Sequence, residues 1–321
     1  MDHKAARRTF LVSILGSVGG WLAGSGAAAP KAPTSTRASE DRGSSAPRGP
    51  DPQQRQVIVN ADDLGFSEEI DRGIFEAHDR GIVTSASLMV REPDAEAAVR
   101  HAKDRPGLSV GIHVAFDYRR RWFIDLQDLN ATERELYRQL DAFVRLTGSP
   151  PTHIDSHHHV HRLFNVARLF LEAGAHYGVP VRGLTEVVYV GRFYGQPEFG
   201  RTDMTKINVD ALVALLRSLG PGVSEVSCHP GHLETRSDAL YNREREVELR
   251  SLVDGRARAA IAEEGLTLIN YRVYGRRVRA AGRGASAGCS GASIDHPPQY
   301  QHGDLRVSDG GGRAGRGRNS A

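Results

Sequence analysis

The sequence of 321 residues predicts an α/β protein with one folded domain, an irregular (β/α) barrel similar to a TIM barrel. The first observation is that apolar, strand-like runs alternate with amphipathic helical runs between residues 55 and 275, which gives about seven strands. The second is that no G-x-G-x-x-G phosphate loop follows the first strand, as a nucleotide-binding sheet would require. Periodicity does not separate a barrel from a doubly wound open sheet, so the open sheet is the structural alternative.

Helix and strand signals define the first half of this domain. Ile70, Ile74 and Phe75 recur on one face of the first predicted helix. Pro93 opens the second helix, and Asn130 or Thr132 caps the third. The predicted elements are a strand at 56–60, a helix at 68–80, a strand at 85–90, a helix at 93–104, a strand at 108–116 and a helix that ends at 146.

The second half repeats the same rhythm. One of its helices carries a leucine stripe at helical spacing, formed by Leu212, Leu215, Leu216 and Leu219. The other predicted elements are a strand at 152–155, a helix at 164–177, a strand within 181–190, a strand at 223–228, a long charged helix at 242–264 and a strand at 268–271.

The two ends of the chain differ from the domain in composition. Residues 1–29 have the layout of an export signal, with Arg7 and Arg8 before an apolar stretch, and resemble a twin-arginine signal. An ordinary secretory signal and an uncleaved membrane anchor are the alternatives. Residues 30–54 are predicted to be a disordered linker, and residues 276–321 a low-complexity Arg/Gly-rich tail. We therefore expect an exported protein, periplasmic or extracellular, without stable membrane insertion once the signal is removed.

Charge and cysteine content argue against a nucleic-acid-binding protein and against a fold held by disulfides. The formal net charge of +3 comes from the two ends of the chain, and residues 55–275 are net acidic. A nucleic-acid partner is therefore not expected. Cys228 follows an apolar strand whereas Cys289 lies in the tail, so no disulfide between them is predicted. The sequence allows a homo-oligomer without specifying one.

Asp62 and Asp63 follow directly on the first apolar strand, at the end that carries function in a barrel. Neighbouring side chains on an extended backbone point in opposite directions. One carboxylate could therefore bind a metal while the other acts as a base. A turn in which an aspartate caps the next helix is the alternative interpretation.

Histidines follow the other strands. Five of the 14 histidines lie between residues 153 and 161, and imidazole is a common ligand of borderline metals. His113 lies in an apolar strand, where a buried polar side chain needs a partner. His229 follows another apolar strand in a His-Pro-Gly turn and suits an acid or base. These positions predict a metal site assembled from several strand ends.

The motifs together resemble the YdjC-like carbohydrate deacetylases, which include diacetylchitobiose deacetylases. The resemblance covers about residues 55–275, and the order and spacing of its motifs make it specific. Five segments carry it: 59–65 (VNADDLG), 81–90 (GIVTSASLMV), 111–113 (GIH), 152–161 (THIDSHHHVH) and 228–232 (CHPGH). Leu64 departs from the phenylalanine that family members often have, and the segment 117–130 is shorter than in the chitobiose enzymes.

The resemblance implies a (β/α) barrel that binds one divalent metal ion, Mg²⁺ or Zn²⁺, and removes acetyl groups from N-acetylated amino sugars. The implied metal ligands are Asp63, His113 and His157, with His159 or His161 as alternatives to His157. Asp62 would be the general base and His229 the proton donor. The reverse assignment, with Asp62 as the metal ligand and Asp63 as the base, is the alternative.

Other interpretations of these residues are consistent with the sequence. A metal-dependent hydrolase of another amide, an ester or a phosphoester would use a similar Asp/His site. A non-catalytic metal- or glycan-binding protein would keep the ligands without turnover. Trp122 with residues 119–121 forms either a sugar-stacking or anion-binding rim or a solvated basic loop.

Overall fold

The protein, described here as a computed structural model, is a mixed α/β fold in which a curled parallel sheet forms a half-barrel surrounded by helices. This confirms the predicted fold class. The structure describes residues 54–118, 121–197, 201–234 and 241–286. The predicted export signal, all of the predicted linker except Gln54, and Cys289 lie outside the described residues.

The strands and helices alternate along the chain. The strands are β1 (Arg55–Leu64), β2 (Ser85–Leu88), β3 (Ser109–Val114), β4 (Asp117–Tyr118), β5 (Arg121–Trp122), β6 (Ile154–Ser156), β7 (Val188–Val190), β8 (Gly222–Cys228) and β9 (Thr267–Leu268). The helices are α1 (Glu68–Asp79), α2 (Ala95–Lys103), α3 (Leu129–Thr147), α4 (Ala167–Tyr177), α5 (Val209–Arg217), α6 (Arg243–Val253), α7 (Gly255–Glu263) and α8 (Tyr271–Ser286).

Parallel pairing places the strands in the order β6-β3-β2-β1-β8-β7. The long strand β1 pairs with β8 along Arg55 to Ala61, with β9 near its start and with β2 near its end. Every strand of this sheet runs in the same direction, so their carboxyl ends lie on one face. β4 and β5 form a separate antiparallel hairpin directly after β3.

Local side-chain bonds account for several element boundaries. Ser67 caps α1 by accepting the Ile70 N–H, and the helix matches its prediction closely. Asp128 caps α3 by accepting the Ala131 N–H, so the predicted caps Asn130 and Thr132 are wrong. Both residues lie inside the helix, because Asp128 precedes them and satisfies a free N–H group of the first turn.

The carboxyl-terminal part differs most from the prediction. The predicted helix 242–264 is two helices, because Asp254 adopts an extended backbone and caps α7. The predicted strand 268–271 is the short strand β9, and Tyr271 already begins α8. α8 continues to Ser286, past the boundary at residue 276 that composition suggests. None of the helices in the described part of the chain is long and apolar enough to cross a membrane.

The core lies between the half-barrel and its helices. Nine of the ten residues of β1 are buried, as expected for a central parallel strand covered on both faces. Cys228 is buried at the end of β8, and its thiol donates to the Asn60 carbonyl at 3.3 Å. The strand that carries the paired aspartates is therefore held firmly between β2 and β8.

Candidate metal centre and active site

Asp63, His113 and His157 come together at the carboxyl ends of β1, β3 and β6. Their candidate ligand atoms all lie within 4.8 Å of one another. The Asp63 Oδ1 atom lies 3.3 Å from His113 Nε2 and 3.2 Å from His157 Nδ1. Asp63 has a left-handed backbone, with φ of 69°, which turns its carboxylate toward this cluster.

The donor set fits a divalent cation. Asp63 Oδ1 is buried and satisfies no hydrogen bond within the described residues, which is costly unless a cation or a proton lies nearby. Two imidazole nitrogens and one carboxylate oxygen are the ligands of many three-residue catalytic sites with an open position. The other oxygen of Asp63 accepts a hydrogen bond from the Arg245 guanidinium, which holds the carboxylate in place.

Asp155 orients the His113 ring by contacting the ring nitrogen that faces away from Asp63. Its Oδ1 atom lies 2.7 Å from His113 Nδ1, which leaves Nε2 directed at Asp63. Burial lowers the pKa of His113, but the carboxylates of Asp155 and Asp63 outweigh burial and raise this pKa to about 10. The two carboxylates therefore favour positive charge at the His113 ring, which a proton or a bound cation can supply.

A tight turn separates the clustered histidines. His158 and His159 have left-handed backbones, with φ of 54° and 53°, so successive side chains point in different directions. His159 Nε2 lies 3.1 Å from the Tyr189 hydroxyl, and His161 Nδ1 lies 2.7 Å from Ser156 Oγ. Of the three candidates for this ligand position, the turn thus brings His157 to Asp63 and directs His159 and His161 elsewhere.

Two further groups of side chains have metal-ligand spacing. Asp62, His113 and Asp155 form one of them, and Asp117, His157 and His158 form the other. The first group already contains a cation, because the Arg182 guanidinium contacts both of its carboxylates. Both oxygens of Asp62 accept hydrogen bonds from Arg182, whereas Oδ1 of Asp63 accepts none within the described residues, which favours the group built around Asp63 over this one.

Asp62 is held beside the metal cluster but outside it. The fully buried Arg182 donates two hydrogen bonds to its carboxylate, at 2.7 and 2.6 Å, and Asn60 donates a third at 2.9 Å. Burial raises the pKa of Asp62, and the charge of Arg182 outweighs it and lowers this pKa below its usual value. Asp62 is therefore a charged carboxylate in a fixed orientation.

His229 lies across from Asp62 after β8. Its Nε2 atom is 3.7 Å from Asp62 Oδ2. The buried Glu248 on α6 accepts the His229 backbone N–H, and its other oxygen lies 4.0 Å from His229 Nδ1. Burial lowers the pKa of His229 to about 4, against the opposing effect of Asp62 and Asp63. The ring is therefore neutral at pH 7 in the resting site.

The structure shows functional neighbours that sequence reasoning missed. Arg182, Arg245 and Glu248 contact Asp62, Asp63 and His229 respectively, and Asp155 contacts His113. Arg182 follows a short apolar run, where a charged residue signals a buried partner. Asp155 lies inside the histidine-rich segment, in a short strand. A carboxylate in a buried strand indicates a polar or charged partner.

The curled parallel half-barrel carries an Asp/His/His cluster and an adjacent Asp–His pair at its strand ends. These features define the general class, a (β/α) barrel-like protein with a hydrolase-like site. The family model described as "YdjC-like protein" matches residues 56–263, and the chain belongs to this family. The family predicted from the motifs is confirmed.

Known relatives cover the same part of the chain. A carbohydrate deacetylase of Geobacillus stearothermophilus is 37% identical over 247 residues, which are 68% of this chain and 98% of the relative. A chitooligosaccharide deacetylase of Serratia marcescens is 29% identical over 259 residues, 68% and 99% of the two chains. A solved structure from Enterococcus faecalis V583, provisionally assigned to cellobiose-phosphate cleavage, superposes with a TM-score of 0.59 at 24% identity over 68% and 98%. This last likeness supports the fold.

Proposed function

We propose that the protein is a metal-dependent hydrolase that removes N-acetyl groups from amino-sugar-containing carbohydrates. The observation that carries the proposal is the Asp63, His113 and His157 cluster beside the Asp62–His229 pair. The names of the relatives, carbohydrate deacetylase and chitooligosaccharide deacetylase, support the substrate class. Residues 1–29 support export, to the periplasm or the cell exterior.

Asp63, His113 and His157 would hold one divalent ion. Their two nitrogens and one oxygen suit Zn²⁺ or another transition ion, and Mg²⁺ is the alternative. When bound, such an ion lowers the pKa of water and polarises the acetamide carbonyl. Arg245 keeps Asp63 ionised and oriented for this role, because burial raises the pKa of Asp63 and the guanidinium outweighs it.

The chain's own residues would move the protons. Asp62 is ionised and fixed by Arg182, so it can accept the proton of the attacking water. His229 is neutral beforehand and lies 3.7 Å from Asp62, so it can receive that proton and donate it to the departing sugar amine. Acetate and the free amino sugar are the products, and the two residues return to their starting protonation states.

The test is acetate release from N-acetylchitooligosaccharides by the full chain. We expect the Asp62→Asn variant to lose about 10³-fold in kcat while its melting temperature still rises on addition of Zn²⁺ or Mg²⁺. Chelation should abolish release by the native chain. Asp210→Asn, at a side chain with 81% exposure, is the matched control and should keep full activity.

Two outcomes would contradict the proposal. A native chain that binds the metal but releases no acetate would indicate another amide, ester or phosphoester substrate, or a binding role. Full activity in Asp62→Asn would mean that the base is a different residue.

A further inference from the structure

Trp122 lies exposed on the functional face of the barrel. It belongs to β5, where it pairs with Asp117 of β4 in the hairpin that directly follows the His113 strand. Half of its surface, 50%, is exposed. Tryptophan is mostly buried in folded proteins, because its large ring gains much from leaving water. An exposed ring beside a candidate active site therefore needs an explanation.

Ring contacts connect Trp122 to the candidate metal cluster. Its ring centroid is 5.9 Å from that of His158, with an angle of 40° between the planes. The His158 ring is in turn 4.0 Å from the ring of His157, a candidate ligand. The His158 side chain therefore links Trp122 to the candidate ligand His157.

The strand order sets the side on which Trp122 lies. The Asp62–His229 pair belongs to β1 and β8, which are neighbours in the sheet. Trp122 follows β3, which β2 separates from β1. A sugar whose acetamide group reaches Asp62 and His229 would therefore have Trp122 to one side, next to the adjoining sugar of a chain.

The His158 imidazole beside the ring completes a surface suited to a sugar. It is half exposed, and its Nε2 atom lies 3.6 Å from the buried Asp117 carboxylate, which holds the imidazole in place. A pyranose ring has an apolar face and a rim of hydroxyl groups. Ligand sites typically combine aromatic side chains, which cover an apolar face, with a few fixed polar groups that set orientation.

We propose that Trp122 is a stacking platform for the sugar next to the one that is deacetylated, so that the protein prefers oligosaccharides to monosaccharides. This inference rests on the proposed deacetylase function and names its substrate class more closely. The half-exposed His158 would donate or accept a hydrogen bond at the hydroxyl rim of the same sugar.

Tryptophan fluorescence tests the platform without any turnover. The sequence contains two tryptophans, Trp21 and Trp122. A full chain with Trp21→Phe and Asp62→Asn therefore reports on Trp122 alone and does not consume its ligand. Titration with tetra-N-acetylchitotetraose should change its emission saturably, and N-acetylglucosamine should need about tenfold higher concentration.

Kinetics with substrates of different length give the second measurement. Trp122→Ala should lower the ratio of kcat/KM for the tetrasaccharide to that for N-acetylglucosamine about tenfold, mainly through KM. Trp122→Phe keeps an aromatic face and should restore much of the ratio. Leu171→Ala, an exposed apolar position on α4, is the control and should leave the ratio as it is.

The outcomes separate this inference from the proposed function. Acetate release with no emission change, or an unaltered ratio in Trp122→Ala, would overturn the platform and leave the deacetylase intact. Saturable emission change without acetate release by the native chain would support the platform and overturn the deacetylase. A Trp122→Ala chain that changes its oligomeric state and keeps its length preference would assign the ring to a protein contact instead.

Discussion

Glu248 holds the backbone of His229 and lies beside its ring. One oxygen accepts the His229 N–H, and the other lies 4.0 Å from His229 Nδ1 and accepts the Tyr241 hydroxyl. Burial raises the pKa of Glu248 to about 8, although its hydrogen bonds from His229 and Tyr241 favour the charged form. The contacts leave the far nitrogen of His229 directed at Asp62, as the proposed proton transfer requires.

Replacement of this carboxylate should impair turnover more than binding. Glu248→Gln has the same shape, but its amide group places N–H donors where the His229 N–H or the Tyr241 hydroxyl now donates. We expect kcat for acetate release to fall about tenfold, with KM changed less than about twofold. The matched control is Glu246→Gln on the same helix, whose carboxylate pairs with Arg250 near the surface. Equal losses in both variants, or a loss confined to KM, would contradict a positioning role.

Residues at strand ends could be predicted, whereas those that support them could not. Asp62, Asp63 and His229 stand out because each follows an apolar run directly. Glu248 does not, because the segment 243–250 (REREVELR) contains three glutamates, and the sequence does not distinguish the partly exposed carboxylate from the buried ones. Burial of one face of α6 against the site selects Glu248, and that choice depends on tertiary packing.

Helix α1 positions the His229 turn through contact between two backbones. A Cβ atom on Gly73 would lie 2.4 Å from the Cα atom of Gly231, so α1 and the turn after β8 touch without side chains between them. The Gly231 N–H donates to the Arg245 carbonyl and the His232 N–H to the Glu69 carbonyl. The turn is therefore clamped between α1 and α6, which fixes the place of His229.

A methyl group at this contact should loosen the site. Gly73→Ala requires the helix or the turn to shift, which we expect to lower the free energy of unfolding by about 1–3 kcal/mol and to reduce kcat. Denaturant titration and acetate release measure the two effects. Gly255→Ala in α7 is the control, because its Cβ meets nothing within 4 Å and alanine favours a helix. If the two variants behave alike, the close packing at Gly73 does not position the turn.

Element boundaries show what periodicity leaves open. β1, β2 and β3 fall near their predicted positions because continuous apolar runs mark buried parallel strands. Periodicity does not predict the break between α6 and α7, because the apolar stripe continues across it. The pair Asp254-Gly255 does indicate it, because an aspartate that can cap a helix precedes a glycine with a flexible backbone.

Across the whole molecule, a buried polar network lies inside the barrel. The fully buried Arg182 pairs with Asp62, Asp155 and Glu225, at 2.6, 2.7 and 2.8 Å. Glu225 also accepts the Tyr271 hydroxyl at the start of α8, so the last helix is tied to the network that orients the site. Burial raises the pKa of Glu225 to about 7, against the opposing effect of Arg182. The charge of this buried network therefore depends on pH, because Glu225 gains or loses its proton near pH 7.

The effect of His161 on the pH dependence of stability can be measured separately from that of the network. It is fully buried and bonded to Ser156, and burial lowers its pKa to about 3, although Asp155 opposes the shift. In an unfolded chain a histidine has a pKa of about 6.5. Between these values the unfolded state binds the proton and the folded state does not. The stability that neutral His161 supports is therefore complete above pH 6.5 and is lost as the pH falls toward 3.

The variant His161→Asn keeps a polar side chain near Ser156 but cannot titrate. The native chain should lose about 3 kcal/mol of unfolding free energy relative to this variant between pH 7 and pH 4.5. Urea titrations at both pH values and constant ionic strength measure that difference, and His101→Asn, exposed on α2, controls for removal of a histidine. A difference that stays constant over this range would mean that His161 takes up a proton as readily in the folded protein as in the unfolded chain, and that the barrel interior admits charge at this position.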